Sequence, residues 1–395
     1  MTPSARPRYH TSNRIPSQEA GRFSLCRGFL KHRRCRRFRP LTWGSAAISA
    51  EAYGNGHIND TFLVKTTGQD YILQRINTDI FTDPDGLMAN ITAVTAHLGQ
   101  RIRTRGGDPF RQTLTVVPTR RGEAFHRDEN GCWRVYVFVT GSATHETAET
   151  PAVLESAGRV FGAFVLDLGD FPAHTLHETV PNFHNTPYRL QQLKDAIAQD
   201  RAGRAKDVQP EIKALLTFTG ETDTLLRQLE AGVLPLRVTP NDTKLNNILF
   251  DAQTGEGMCV IDLDTVMPGL LAYDFGDAIR AGGNTTTEGD PDVSHVDMHM
   301  ANFVAFTRGG LETVPSVLTD AEAASLVTGA KLMTWEIASR FLADHLNGDV
   351  YFHIHYPGPN LDRARNQIAL VQAIDRHQAE MEAIVAETWQ RLRAR

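Results

Sequence analysis

The sequence predicts an α+β fold of two lobes, a small antiparallel β lobe followed by a larger, mainly helical one. Three observations carry that expectation. Short β-rich runs separated by turn residues crowd between Tyr53 and Val139. Beyond Asp290 apolar residues recur at three- and four-residue steps. Between these regions lies a hairpin pattern, I-L-F-D, then A-Q-T-G-E-G, then M-C-V-I-D-L. At 395 residues the chain exceeds one typical domain. The expected division is residues 1–40 as a basic extension, 41–140 as the β lobe and 141–395 as the helical lobe.

In the β lobe, residues 53–64 read Y-G-N-G-H-I-N-D-T-F-L-V, a Gly-containing turn between two strand-like segments. Gly54 and Gly56 let the backbone approach a phosphate closely, and Ile58 follows them in the same turn. The next strand, Tyr71–Ile76, places Gln74 and Arg75 on opposite faces. Arg75 supplies a charge for phosphates if it faces inward. Residues 83–103 carry Leu87, Ile91, Val94 and Leu98 at helical steps. Leu114–Val117 and Trp133–Val139 are further strands, and the break at V-F-V-T-G-S makes Phe138 and Val139 the expected hinge beside a nucleotide base.

The stretch from Val238 to Asp264 carries the chemistry. Asp242, Lys244 and Asn247 reproduce the D-x-K-x-x-N spacing of a kinase catalytic loop. Phosphoryl transfer asks the protein for positioning and charge neutralisation more than for covalent work. Asp242 is the expected base for an attacking hydroxyl, and Lys244 leans toward the γ-phosphate. Asn247 and Asp262 are the expected oxygen ligands of Mg²⁺, brought together by the hairpin. Asp264, two residues further on, is expected on the same strand face as Asp262, within reach of a second ion. Asp274, Phe275 and Gly276 spell D-F-G but come too late to be the metal motif. Asp274 and Asp277 are therefore expected to fix the loop by accepting from backbone N–H groups.

Helices are expected over residues 293–306, 320–346 and 361–392. His295 and His299, one turn apart, read as a polar helix face because no third metal ligand is evident. Cys26, Cys35, Cys132 and Cys259 show no C-x-x-C pairing, which fits a reducing cytoplasm. The net charge of −5 hides an asymmetry, since residues 1–40 hold ten Arg, one Lys and a single acid. The acidic remainder argues against nucleic-acid binding. The basic leader has no apolar segment that suits a signal peptide or a membrane span, and it is expected to be disordered and dispensable for activity. No G-x-x-x-x-G-K-[ST] run occurs, which disfavours a P-loop NTPase.

Taken together, G-H-I-N-D-T-F-L-V, Y-I-L-Q-R-I-N-T-D-I-F, N-D-T-K-L-N-N, I-D-L-D-T-V-M-P-G-L-L-A-Y-D-F-G-D-A-I-R and D-V-Y-F-H-I-H-Y-P-G-P-N-L-D-R-A-R resemble the N-acetylhexosamine 1-kinases of the aminoglycoside phosphotransferase and choline kinase-like family. The resemblance spans roughly residues 45–385. It implies a protein kinase-like fold, ATP and Mg²⁺ as cofactors, and transfer to the anomeric hydroxyl of N-acetylglucosamine or N-acetylgalactosamine. It also implies that His57, Arg340 and Tyr351 contact the sugar. The chain is expected to act as a monomer or weak homo-oligomer. The family's loop usually opens with His, where this chain has Pro240. Another small alcohol as acceptor, or a non-catalytic nucleotide-binding protein, stays open at this point.

Overall fold

The computed structural model describes residues 47–54, 58–352, 354, 356 and 358–394. Its first part is a five-stranded sheet of β1 (Ala47–Ala52), β2 (Asp60–Thr66), β3 (Tyr71–Ile76), β4 (His126–Asp128) and β5 (Gly131–Val137), in the order β1-β2-β3-β5-β4. Every neighbouring pair is antiparallel. Leu114–Val117, expected as a strand, stays irregular. It still follows β5, with the Val117 N–H on the Val135 carbonyl and the Val137 N–H on the Thr115 carbonyl.

Helix α1 (Pro84–Thr104) follows β3 in the chain and shares a core with one face of the sheet. Asp83 caps it by accepting from the Gly86 N–H, and Pro84 sits where the missing N–H costs nothing. Its buried stripe contains Leu87, Ile91, Val94 and Leu98, as the spacing predicts, together with Met88 and Ile102. The sheet therefore has two unlike faces. Tyr71, Leu73, Trp133 and Val135 form a small outer cluster with Val64. Ile72, Ile76 and Tyr136 join the main core with α1.

A short α2 (Pro109–Gln112) lies between α1 and β4, and residues 138–141 lead from β5 to β6 (Ser142–Ala143). In sequence order come α3 (Pro151–Asp167), α4 (Thr186–Gln199), α5 (Gln209–Leu216), α6 (Thr224–Glu230) and β7 (Arg237–Thr239). The hairpin β8 (Ile248–Asp251) and β9 (Gly257–Val260) comes next, then β10 (Met267–Gly269). The chain closes with α7 (Leu271–Gly282), α8 (Met300–Glu312), α9 (Asp320–Asn347) and α10 (Pro359–Arg393). Strands β6, β8 and β9 form one small sheet, and β7 and β10 another.

Helix α9 starts at a complete capping box, Thr319 and Glu322. The expected helix over 293–306 is broken instead. Only a 3₁₀ turn forms at Val293–His295, because the 297–299 stretch bridges back to Asn284 and His299 then caps α8. Helices α7 and α9 cross with backbones almost touching. A Cβ on Gly276 would stand 2.3 Å from the Gly329 carbonyl oxygen. The glycine of D-F-G thus serves helix packing. No helix among the described residues is long and apolar enough to cross a membrane.

Candidate active site

The 240–247 loop is held from below by the residues of the apparent D-F-G motif. On α7, Asp274 accepts from the Asn241 N–H at 2.9 Å and Asp277 from the Thr243 N–H at 3.1 Å. The Thr243 hydroxyl donates to the Asp274 carbonyl. Asn241 is left-handed, φ +60°, a conformation Asn tolerates better than most residues. Its side-chain amide donates to the Thr239 and Thr265 carbonyls, which ties the loop to the strands on either side. Asp242 follows directly. Its carboxylate meets Lys244 Nζ at 2.8 Å and accepts from Asn247 Nδ2 at 3.0 Å. The adjacent Asp242 charge raises the Lys244 pKa above the ordinary lysine value.

The hairpin brings Asn247 and Asp262 to the same end. Ile248 pairs with Val260, and the Ile261 N–H donates to the Asn247 carbonyl at 2.9 Å. Asn247 spends its amide nitrogen on the Asp242 carbonyl and carboxylate, which leaves its side-chain oxygen free of that duty. Asp262 sits beyond the strand with φ +57°. The residue is exposed, and its carboxylate has no hydrogen-bond or ion-pair partner among the described residues. Desolvation by the surrounding protein, then the Asp264 and Asp242 carboxylates, push its pKa up. A free amide oxygen and an unpartnered carboxylate in a field of negative charge fit a hard divalent cation that takes its remaining ligands from phosphates and water. No group of three or more His, Cys, Asp or Glu among the described residues forms a metal set by itself.

The expectation for Asp264 is corrected. The strand stops at Val260 and Leu263–Thr265 is a 3₁₀ turn, so Asp264 does not share a strand face with Asp262. It is buried, ion-paired with Arg134 at 2.5 Å and bonded to Asn59 Nδ2 at 2.6 Å.

Arg75 is corrected as well. It faces the outer side of the sheet, where Asp60 on β2 takes its guanidinium at 2.7 Å. Gln74 faces inward and accepts from Arg134 Nε at 3.0 Å. The inward cation of this sheet is thus Arg134 on β5, cross-strand from Gln74 and 1% exposed. Burial alone would lower its pKa, but Asp264 outweighs that and keeps the guanidinium charged. Sequence reasoning missed Arg134. The available signal was a lone Arg in the β run C-W-R-V-Y-V, a residue type that is buried only when paired.

At the link between the sheets, the Phe138 N–H and carbonyl are both used, by the Asp70 carbonyl and Gln69 Nε2. The Val139 carbonyl accepts from Ser142, while its N–H has no backbone partner among the described residues. Tyr53 stacks edge-on against Phe138, ring centroids 5.8 Å apart, so the Gly54 turn begins beside this link. Gly54 has φ +78° and open space where a Cβ would stand. Ile58 is exposed and its carbonyl accepts from Asn77. Gly56 and His57 lie outside the described residues.

Arg340 and Tyr351 do come together, with Arg340 Nη2 3.4 Å from the Tyr351 hydroxyl. The Arg340 guanidinium also lies over the rings of Tyr351, Phe352 and Phe183, 5.6–5.9 Å from their centroids. Asp344 presents the Tyr351 segment by accepting from the Val350, Tyr351 and Phe352 N–H groups. Phe183 adjoins His184, whose Nε2 is 3.0 Å from the Asn241 carbonyl oxygen. That contact joins the Arg340 wall to the Asp242 loop. The sequence gives no hint of Phe183 or His184, which lie in a turn some sixty residues before the loop.

A phosphotransferase enzyme family model matches residues 49–302, and the chain belongs to that family. The fold is similar to that of a microcompartment-associated aminopropanol kinase, with TM-score 0.52, 18% identity, and coverage of 85% of this chain and 94% of that one. It is also similar to a spectinomycin phosphotransferase solved with ADP and spectinomycin (0.53, 10%, 89% and 98%). A third is the choline kinase of Cryptosporidium parvum Iowa II (0.53, 12%, 94% and 99%). These likenesses agree with the expected two-lobed kinase-like α+β fold.

Proposed function

We propose that this phosphotransferase is an ATP-dependent kinase that phosphorylates the anomeric hydroxyl of an N-acetylhexosamine. The observation that carries the choice of acceptor is the wall beside the 240–247 loop, where Arg340 is framed by Phe183, Tyr351 and Phe352. Aromatic faces suit a sugar ring, and a guanidinium donates to hydroxyls or an acetamido carbonyl. A cationic wall also opposes positively charged acceptors such as aminopropanol or choline. Two carboxylates beside the wall have partners of their own, Glu336 Oε1 facing His184 and Asp344 accepting from three backbone N–H groups.

In this reading Asp242 orients the attacking hydroxyl and takes its proton. Lys244, 44% exposed at its side chain, swings from Asp242 to the γ-phosphate. Asn247 and Asp262 hold Mg²⁺, which when bound neutralises phosphate charge. Val139 offers its N–H to the nucleotide base, and Gly54 and Gly56 open the turn over the phosphates. His57 completes the acceptor side, as the family resemblance implies.

An acceptor screen with ATP and Mg²⁺ tests the proposal, with the phosphate located by phosphorus NMR. Both acetylated hexosamines are expected to give the 1-phosphate. Phosphate on O6, or turnover of an amino alcohol in place of either hexosamine, overturns the acceptor assignment.

A further inference from the structure

Residue His184 stands apart from the resemblance and from the loop in sequence, yet it touches the residue before Asp242. Its Nε2 lies 3.0 Å from the Asn241 carbonyl oxygen and its Nδ1 3.1 Å from Glu336 Oε1. A carbonyl has no proton to give, and neither has an ionised carboxylate. A neutral imidazole carries a single N–H and satisfies only one of them. Glu336 is fully buried on α9, and Arg189 Nε is its other cation, 4.0 Å away. The pair lies under the acceptor wall, with Phe183 packed on His184 at 4.5 Å between centroids and Tyr273 at 5.6 Å.

We infer that His184 is a positioning residue that holds Asn241, and through it Asp242, as an imidazolium locked between the loop carbonyl and Glu336. The groups that bear on its charge are Glu336 on α9, Arg189 on α4, and Asp277, Asp274 and Tyr273 on α7. Burial alone would lower the His184 pKa, but Glu336, the Asn241 carbonyl and Asp277 outweigh it and raise the pKa above the ordinary imidazole value. With a raised pKa the hold on the loop is complete below the ordinary value and is lost as pH rises through the folded one. His184 thus adds to the loop support given by Asp274 and Asp277. It also ties that support to the acceptor wall, because Phe183, the next residue, lies under Arg340.

The role assigned to Asp242 rests on the proposed function, whereas the protonation state does not, so the test has two arms. In the first, the wild-type protein with isotope-labelled histidine is titrated by NMR. At about pH 7 both His184 ring nitrogens are expected to carry protons, and Glu336→Gln is expected to lower the titration point. A neutral ring at that pH overturns the inference, as does a Glu336→Gln titration point equal to that of the wild type. In the second arm, His184→Gln is assayed with N-acetylglucosamine and ATP, or with whichever acceptor the screen finds. A kcat loss of about tenfold or more is expected, with the KM for ATP nearly unchanged and the alkaline limb of the kcat profile abolished. A kcat within about twofold of wild type, or an unaltered alkaline limb, overturns the positioning role. No turnover of either hexosamine by the wild type counts against the proposed acceptor and leaves the NMR result to decide the inference.

Discussion

Two carboxylate pairs flank the catalytic-type loop, Asp262 with Asp264 above and Asp274 with Asp277 below, and they share a plan. In each, one member is locked to a buried arginine, Asp264 to Arg134 and Asp277 to Arg280 at 2.8 Å. The other member in each has no arginine, and its pKa is raised. The difference lies in access. Asp262 is open to solvent, while Asp274 is 5% exposed and bonded to the Asn241 N–H. A lone carboxylate that solvent can reach can be neutralised by an arriving cation. One sealed behind a loop can be neutralised only by a proton. Chemistry is therefore expected above the loop and stability below it.

The largest effect that would break this contrast comes from Asp242→Asn and Asp262→Asn. Each is expected to cut turnover by roughly a thousandfold, equivalent to about 4 kcal/mol of transition-state stabilisation. The thermal midpoint should stay close to wild type. Mg²⁺ with nucleotide should raise that midpoint in the wild type and much less in Asp262→Asn. A variant that loses its fold together with its activity would place Asp262 in the structural class with Asp274.

Below the loop the sign reverses. Asp277→Asn leaves Arg280 in a buried site with Glu288 and Gln367 as its remaining partners. Breaking a buried pair costs about 3–5 kcal/mol, and the lower end applies because Glu288 stays. Denaturant unfolding is expected to show about 3 kcal/mol lost, with residual activity in the folded fraction. Although burial alone would raise the Asp277 pKa, Arg280 and Lys244 hold it below the ordinary carboxylate value. Its contribution to stability is thus present above the ordinary value and fades as pH falls through the folded one.

Arg134→Met probes the upper pair in the same way and is expected to cost about 2–3 kcal/mol, because Asn59 still donates to Asp264. It should also weaken nucleotide binding if the Asp264 turn sets the place of Asp262. Unchanged nucleotide affinity, measured by calorimetry, would separate the ion pair from the site.

The parts of this arrangement differ in how far the sequence disclosed them. Asp242, Lys244, Asn247 and Asp262 follow one another along a loop and a hairpin, so spacing alone was enough to suggest that they meet. The downward role of Asp274 and Asp277 was legible because Asp262 was already the expected metal ligand. Arg134 was not legible, since its partners Gln74 and Asp264 come from 60 and 130 residues away and only strand register brings them together. Arg75 misled because a strand hides which of two neighbours faces inward. The outward side is where Asp60 on β2 pairs with Arg75, a partner that Y-I-L-Q-R-I alone does not disclose. His184 and Phe183 were invisible for a similar reason, as a turn residue gains meaning only from the loop it meets.

The smallest effect is the sharpest test of the contrast. Burial, followed in size by the opposing Asn241 N–H bond, leaves the Asp274 pKa pushed up to about 8. Asp274 is therefore expected to be protonated at neutral pH, when Asp262 would meet a cation instead. A folded pKa above the unfolded one stabilises the fold fully below the ordinary carboxyl value of about 4, and that contribution drains away as pH rises toward about 8. Asp274→Asn replaces a neutral carboxyl with a neutral amide of nearly the same shape. It is expected to cost about 1 kcal/mol or less near pH 7, because the side-chain oxygen can still accept from the Asn241 N–H. It should also flatten the fall in thermal midpoint between about pH 5 and 8. Thermal scans of wild type and variant across that range decide the matter. A wild-type midpoint that does not fall over the interval, or a variant that falls as steeply, would show that Asp274 is ionised beneath the loop and that access does not separate the two lone carboxylates.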